Sequence, residues 1–459
     1  MSETTTSTVA ASDTIQTGLF SKTGDTKSTY SGIDTGLSFF SPTLIEEGII
    51  SETNVEYCPI AALQKSKPID FHIPYTNSLF FDLSKSLMRI KVRITRKDGS
   101  LLKKADDKVG FINNIAQSLF QKLDLIIDGK VISPDVGMHY AYQQMLQILT
   151  YYPADFLHST APVQGFIPDS ANYHDTPTMT VGGENTGFYD RWELINNGQS
   201  LVLLAPIGHD LCYMNCYLPN HLPIQFRFWC NQDDFLIISP ATATENYVVD
   251  IQEFSLQLCG LQVTPTVISR LETMLAKKMA TFHYQKTEFK SFTVPKGQLT
   301  YSINNLFGGD LPFETLVCMV KTSAYIGDKT LNPYKFDHFD LKEASMYIQN
   351  CQEINYNVSF AAGSEDFVTP YRNLYTTDSG TKFTPGIIGL QEFEGGYMVL
   401  RFRLSTAQTI RKNRVQQGTG RLTFKWGTAL PDSVTILVLC KFHSELYMNR
   451  AHQIFTTKV

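Results

Sequence analysis

The sequence predicts an all-β chain built as two tandem β domains with short inserted helices. Three observations carry this. Apolar and polar residues alternate with a period of two over many short runs, Gly, Pro, Asn and Asp punctuate those runs, and one order of runs occurs twice around a single helix. At 459 residues and 51.8 kDa the chain exceeds what one hydrophobic core usually organises, so two or three domains are expected on size alone.

Residues 1–36 stand apart from the rest. Sixteen of them are Ser or Thr and no period appears, so the segment cannot bury enough surface to offset its ordering entropy and is expected to be a disordered arm. From Leu37 the texture is β-like. MRIKVRIT (88–95) alternates strictly, with Met88, Ile90, Val92 and Ile94 on one face and Arg89, Lys91 and Arg93 on the other. KLDLIIDGKVIS (122–133) is apolar on both sides of Asp128 and Gly129, a dipeptide that favours a two-residue hairpin turn. IQFRFW (224–229), FSLQLCGLQV (254–263), YMVLRFRL (397–404), LTFKW (422–426) and VTILVLCKF (434–442) read as further strands. Helical spacing is confined to three places. PTVISRLETMLAKKM (265–279) opens on Pro and ends in a basic turn suited to the helix dipole, HYAYQQMLQILTYYP (139–153) is stopped by Pro153, and DFVTPYRNLYT (366–376) is weaker.

The repeat pairs KPIDFHIP (67–74) with FKSFTVP (289–295), 86–95 with 313–322, and 123–132 with 344–354. Each half then has a Tyr-rich short helix and ends in two strands. The expected layout is an arm over 1–36, a first domain over 37–263, a linking helix over 264–280 and a second domain over 281–459. An eight-stranded jelly roll with its helix after strand D (in the B-to-I lettering of that fold) fits each half. Two Greek-key barrels fit the spacing equally.

Charged residues are only 18% of the chain, with 39 basic against 44 acidic and a net charge of −5, which excludes a strongly nucleic-acid-coating protein on bulk charge. So little charge beside 30 Phe and 22 Tyr points to a surface largely covered by partners. No run is long and apolar enough to span a membrane, and MSETTTSTVAASDT lacks the basic and apolar regions of a secretory signal. Eight scattered cysteines, mostly in apolar runs, suggest buried thiols in a reducing compartment.

Catalytic motifs are missing: there is no phosphate-binding G-x-x-x-x-G-K-[ST], no H-E-x-x-H and no G-x-S-x-G elbow. VGGENTG (181–187) lacks dinucleotide-loop spacing and reads as a flexible loop. His209, Asp210, Cys212 and Cys216 form the densest cluster of metal-ligand types. Read as a strand, it separates the two thiols by about 13 Å, too far for one zinc ion, so core thiols are expected. Asp233-Asp234 and Glu46-Glu47 read as solvated surface, and Asn357-Val358-Ser359 is a lone sequon. Arg411, Lys412, Arg414 and Arg421 make the densest basic stretch. They are expected on an exposed loop, as a subunit contact or as a weak, non-specific genome contact.

Taken together, many segments resemble the major capsid protein of Polinton/Maverick elements and the related adintoviruses, a double jelly-roll family. The resemblance runs through VEYCPI (55–60), PIDFHIP (68–74), FFDLSKSLMRIKVRIT (80–95), NNIAQSLFQKLDLIIDGKVISP (113–134) and YAYQQMLQILTYY (140–152). It continues through VTPTVISRLETMLAK (263–277), FKSFTVPKG (289–297), NNLFGGDLP (304–312) and NPYKFDHFDLKEASMYIQNCQEI (332–354). It closes with GGYMVLRFRLS (395–405) and GRLTFKWGTALPDSVTILVLCKF (420–442), covering roughly residues 45–445. The arm and the loops at 155–190 and 406–419 are not supported by it.

The resemblance implies two tandem eight-stranded jelly rolls and a structural virion protein without enzyme activity or cofactor. It further implies a homotrimer forming a pseudo-hexameric capsomer, capsomer–capsomer contacts in an icosahedral shell, and a minor or penton capsid protein as partner. Leu306-Phe307-Gly308-Gly309 looks like a Gly-Gly capsid-maturation cleavage site but falls in a matched strand and loop, so a structural use of the glycines is expected. Two other classes remain. A tandem jelly-roll module binding carbohydrate or another ligand would need an exposed aromatic platform, whereas Trp229 and Trp426 end core strands. A cupin-like enzyme would need two His and a carboxylate converging in one barrel, and His221, His338 and His443 are scattered.

Overall fold

Two sets of eight strands follow one another, and the pairing inside each set is nested. The computed structural model describes residues 48–456 apart from 77–78, 105, 133–138, 220, 244, 362–365, 377–385, 405–409, 412–413 and 416. The arm over residues 1–36 lies outside the described residues. The first set is β1 (Ile49–Tyr57), β2 (Ile69–Ile73), β3 (Leu79–Arg96), β4 (Phe120–Ile127), β5 (Lys130–Ile132), β6 (Leu201–Pro206), β7 (Ile224–Cys230) and β8 (Tyr247–Val263). The second is β9 (Ala280–Val294), β10 (Thr300–Ile303), β11 (Glu314–Lys321), β12 (Leu341–Ile348), β13 (Cys351–Asn357), β14 (Val399–Arg403), β15 (Gln417–Trp426) and β16 (Val434–Met448).

In the first set β1 pairs β8, β2 pairs β7, β3 pairs β6 and β4 pairs β5, all antiparallel. The second set repeats this, with β9 on β16, β10 on β15, β11 on β14 and β12 on β13. Each set is thus one long antiparallel ribbon. It folds over so that the sheet orders become β1-β8-β3-β6 and β2-β7-β4-β5, then β9-β16-β11-β14 and β10-β15-β12-β13. That is the jelly-roll order twice over, and it settles the choice left open between jelly rolls and Greek-key barrels.

Local chemistry explains the strands. Along β3 burial alternates from Met88 to Ile94, with the apolar set inside and Arg89, Lys91 and Arg93 outside, where they meet Glu253 and Asp250 of β8. Between β4 and β5, Ile127 faces Lys130 across the two residues Asp128 (φ 51°) and Gly129 (φ 72°). Two consecutive left-handed residues define a type I′ turn, whose twist suits the flanking strands. In the second roll Ile348 faces Cys351 across Gln349 (φ 49°) and Asn350 (φ 67°), the same turn with different residues.

Helices α1 (Tyr140–Tyr151), α2 (Thr186–Glu193), α3 (Pro265–Leu275) and α4 (Val368–Leu374) decorate the rolls. A short helix does follow the third strand, D, in each roll, Ile115–Ser118 in the first and Thr322–Ile326 in the second, but the longer Tyr-bearing helices α1 and α4 follow the fifth strand of their rolls. The repeat also slips at one point. KPIDFHIP supplies a second strand, but FKSFTVP is the end of a first strand, because a closing Pro marks a strand end whatever its place in the order. α3 joins the rolls: Val267 and Ile268 pack on Phe80, Leu261 and Val263, while Leu271 and Met274 on the same helix are exposed.

Because Gly129 has φ +72° and nothing within 4 Å of a Cβ placed there, a side chain would meet backbone strain but no clash. Gly129→Val should therefore lower unfolding free energy by about 1–2 kcal/mol, read by denaturant melting. Unchanged melting would contradict the turn geometry.

Candidate functional site

The outer face of sheet β9-β16-β11-β14 is covered by the first roll. Every residue from Val434 to Phe442 of β16 and from Glu314 to Val320 of β11 is buried, which requires cover on both faces. α1 supplies much of it. His139, its N-cap, stacks on Phe289 at 4.6 Å between ring centroids and reaches Tyr325 Oη at 3.1 Å. Tyr142 packs on Tyr325 and Tyr334, each at 5.7 Å. The two rolls share one continuous apolar core.

Charge is buried in this seam at two places. In the first, register sets Lys441 opposite Glu314 and Glu314 opposite Arg403, so three charged side chains lie in a row across three strands. Arg401 donates to Glu314 and to the Leu374 carbonyl at 2.5 Å, and Arg403 donates to the Thr376 carbonyl at 2.8 Å. From the first roll, Gln147 accepts from Lys441 at 2.9 Å, and the Tyr151 ring lies 3.6 Å from the ammonium. Asp210, also of the first roll, accepts from the Thr287 amide at 2.8 Å. Burial pushes the Asp210 carboxyl up to about 6 and the Lys441 ammonium down to about 8.

The second place centres on Asp169, 2% exposed. It accepts from Arg191 at 2.6 Å, from Asn185 at 3.0 Å and, across the seam, from Asn332 at 3.0 Å. Lys335 reaches over to Asp175 at 2.8 Å. His174 lies between them, edge-on to Tyr397 at 4.6 Å, and burial lowers its pKa. Asp169, Asp175, Arg191 and Lys335 satisfy one another, whereas both His174 ring nitrogens are buried without a hydrogen-bond partner among the described residues, and none of these groups presents an activated nucleophile to an open cleft.

The residues singled out from sequence fall as follows. Asp128 and Gly129 form the turn already described. Arg411 and Arg414 lie on a two-residue ladder, Ile410–Arg411 against Arg414–Val415, and Lys412 lies outside the described residues. Arg421 departs from the exposed-loop expectation. It is a residue of β15, half-buried, with its guanidinium 4.3 Å from the Tyr347 ring of β12, because β15 extends back to Gln417 through a Gly-rich start that still pairs. His209 to Cys216 is not a strand: Asp210–Tyr213 is a 3-10 turn packed on β9. There the His209 Nε2 donates to the Ile132 carbonyl and Nδ1 accepts from the Leu211 amide, burial pushes the Cys212 thiol up to about 12, and Cys216 is exposed. Cys58 and Cys351 are exposed too, against the expectation of buried thiols. VGGENTG is a helix entry rather than a loose loop, since buried Asn185 caps α2 by accepting from the Phe188 amide at 3.1 Å. Asp233 pairs with Lys65 and accepts from the Val249 amide, so it is structural.

Of the three histidines compared with a cupin site, His338 stacks on Phe360 at 4.0 Å and His443 on Phe313 at 4.5 Å. His221 instead meets two residues the sequence reading had not grouped with it. His221, Glu272 and His452 place their ligand atoms within 4.8 Å of one another. Among the described residues they are the group of His, Cys, Asp and Glu side chains able to hold a metal ion. Partial burial and the neighbouring His452 both lower the His221 pKa.

No family model matches the chain. An uncharacterized protein of Caenorhabditis elegans is 22% identical over 402 residues, covering 83% of this chain and 91% of the relative. Among solved structures, a chain of the Sputnik virophage superposes with a TM-score of 0.61 at 9% identity, over 93% of this chain and 92% of that one. The mavirus major capsid protein gives 0.52 at 12% identity over 95% of both chains, and the Faustovirus major capsid protein 0.52 at 9% over 90% and 92%. The fold of this chain is a double jelly roll, similar along almost its whole length to that of viral major capsid proteins.

If burial alone raises Asp210 from 3.8 to about 6, the folded state holds its proton more tightly than the unfolded chain does. Stability then falls as pH rises from about 4 to 6, and stays lower above that. Two pH units correspond to roughly 3 kcal/mol. Asp210→Asn keeps an acceptor for Thr287, so its stability relative to the unmodified protein should grow across pH 4–6 in denaturant melts. Parallel profiles for the two proteins would remove Asp210 as the titrating group.

Proposed function

We propose that this chain is a major capsid protein of the Polinton/adintovirus kind. In this reading three copies form a homotrimer, their six rolls make a pseudo-hexameric capsomer, and capsomers tile an icosahedral shell. The protein is then a component of the virion, has no enzyme activity, and contacts itself and a minor or penton capsid protein, with at most weak non-specific contact to the genome. One observation carries the reading: the likeness to the mavirus major capsid protein extends over 95% of both chains, both rolls together.

The structure supports it physically in two ways. The seam fixes the rolls through buried charge and aromatic packing, so a chain presents two lobes in one rigid relation, as a six-lobed trimer requires. Exposed apolar side chains such as Leu271, Met274, Ile326 and Val368 offer material for contacts between copies. A closed three-fold ring uses one heterologous contact repeated, so two surface patches per chain suffice.

Light scattering on column-purified protein, followed by negative-stain imaging of the same peak, tests the proposal. The expected result is a mass near three times 51.8 kDa and particles with six lobes. A monomer at all concentrations would overturn the trimer and favour the tandem binding-module alternative.

A further inference from the structure

Three segments far apart in the chain meet beside the linking helix. His221 follows the short strand Leu218–Pro219, and its ring sits edge-on to Phe80 at 6.0 Å. Glu272 is in the second half of α3. His452 is in the turn between β16 and a final strand, β17 (Ile454–Phe455), a turn bracketed by Asn449 and Gln453. The two imidazoles stack at 4.3 Å between centroids, and His452 Nε2 lies 3.0 Å from the Glu272 carboxylate.

An ordinary ion pair between His452 and Glu272 leaves three things unexplained. His221 makes no hydrogen bond among the described residues, although both of its ring nitrogens belong to a partly buried ring. No Lys or Arg pairs with Glu272 among the described residues, so its charge is met by histidine alone. His452 occupies a left-handed backbone position, φ 60°, where Gly or Asn would sit with less strain. A bound cation accounts for all three. It uses the His221 nitrogen, neutralises the carboxylate, and gives the strained turn residue an imidazole to contribute.

We propose that His221, Glu272 and His452 bind a divalent transition-metal ion of the zinc class. Two imidazole nitrogens and one carboxylate oxygen are a donor set suited to zinc and its first-row neighbours, with water completing the coordination. Ligand atoms about 2.0–2.2 Å from one ion stand roughly 3.3 Å apart, so binding requires the present separations of up to 4.8 Å to close and one of the stacked imidazoles to turn until its ring plane contains the ion. The ion ties the first roll, the linking helix and the C-terminal hairpin together. The proposal does not depend on the capsid reading, since the three residues belong to one chain.

The test uses full-length protein stripped with chelator and titrated with zinc in a calorimeter, with cobalt absorbance as a second readout. One ion per chain is expected. His452→Asn, chosen because Asn accepts the left-handed backbone, and Glu272→Gln should each weaken binding about tenfold or more. Melting should show zinc raising the midpoint of the unmodified protein and not of these variants. A Cys58→Ser, Cys216→Ser, Cys351→Ser triple variant removes the exposed thiols and should bind as before. Unchanged affinity in His452→Asn, loss of binding in the triple cysteine variant, or no stoichiometric zinc on the unmodified protein would each overturn the proposal.

Discussion

Each roll is held shut by the pairing of its first strand with its last. In the second roll β9 and β16 pair from Ala280 with Met448 to Val294 with Val434, fifteen positions without a register shift. In the first, β1 runs along the C-terminal half of β8 with one irregularity near Ile49. This contact joins residues well over a hundred positions apart. Its entropic cost grows only logarithmically with that separation, yet it must be met before the inner strands can close a barrel. Everything else follows from the nesting. Long insertions go where two ribbon strands need not touch, and in both rolls the longest lies between the fifth and sixth strands, from Ile132 to Leu201 and from Asn357 to Val399.

The first of those insertions builds the seam. It carries α1, Asp169, Asn185 and Arg191, which cover the second roll or brace the residues that do. A seam of Phe and Tyr alone would tolerate sliding, because apolar contact is not directional. The polar contacts that cross the seam remove that freedom: Asp169 with Asn332, Asp175 with Lys335, Lys441 with Gln147 and the Tyr151 ring, and Asp210 with the Thr287 amide. A slipped seam would part all of them and leave buried polar groups unpaired, so one placement of the rolls satisfies them together. Low charge in the sequence as a whole therefore coexists with charge concentrated where it fixes geometry.

Much of this was legible in the residues. Period-two runs such as MRIKVRIT mark strands because one face is wet, and Asp128-Gly129 announces its turn because both residues accept positive φ. The matching turn at Gln349-Asn350 gives a weaker signal, as Gln in a left-handed position is set by the surrounding ladder rather than by preference. VTILVLCKF reads as a buried strand, but nothing local says that Lys441 within it faces another domain. The 3-10 turn at Asp210–Tyr213 resembled a strand because its apolar residues pack on β9, a contact invisible in the linear pattern. α2 was missed for a related reason: its cap, Asn185, lies in a Gly-rich stretch whose tight packing comes from distant residues such as Pro168 against Gly187.

The grouping of His221, Glu272 and His452 shows the same limit most sharply, and the topology explains it. α3 leads directly into β9, and β9 is paired with β16 along its whole length, Ala280 meeting Met448. The hairpin that follows Met448 must then emerge beside the end of α3, which brings His452 to Glu272. On the other side, Phe80 pairs with both Pro219 and Leu261, two residues short of the end of β8, where α3 begins. That fixes the turn holding His221 near the start of the same helix. The three ligands are remote in sequence and adjacent in space because a jelly roll places its last strand beside its first, and the linking helix stands at that junction. Any chain with this nesting, and a helix between its rolls, brings these three kinds of segment together. What is particular here is that each of them carries a metal-binding side chain at the meeting point.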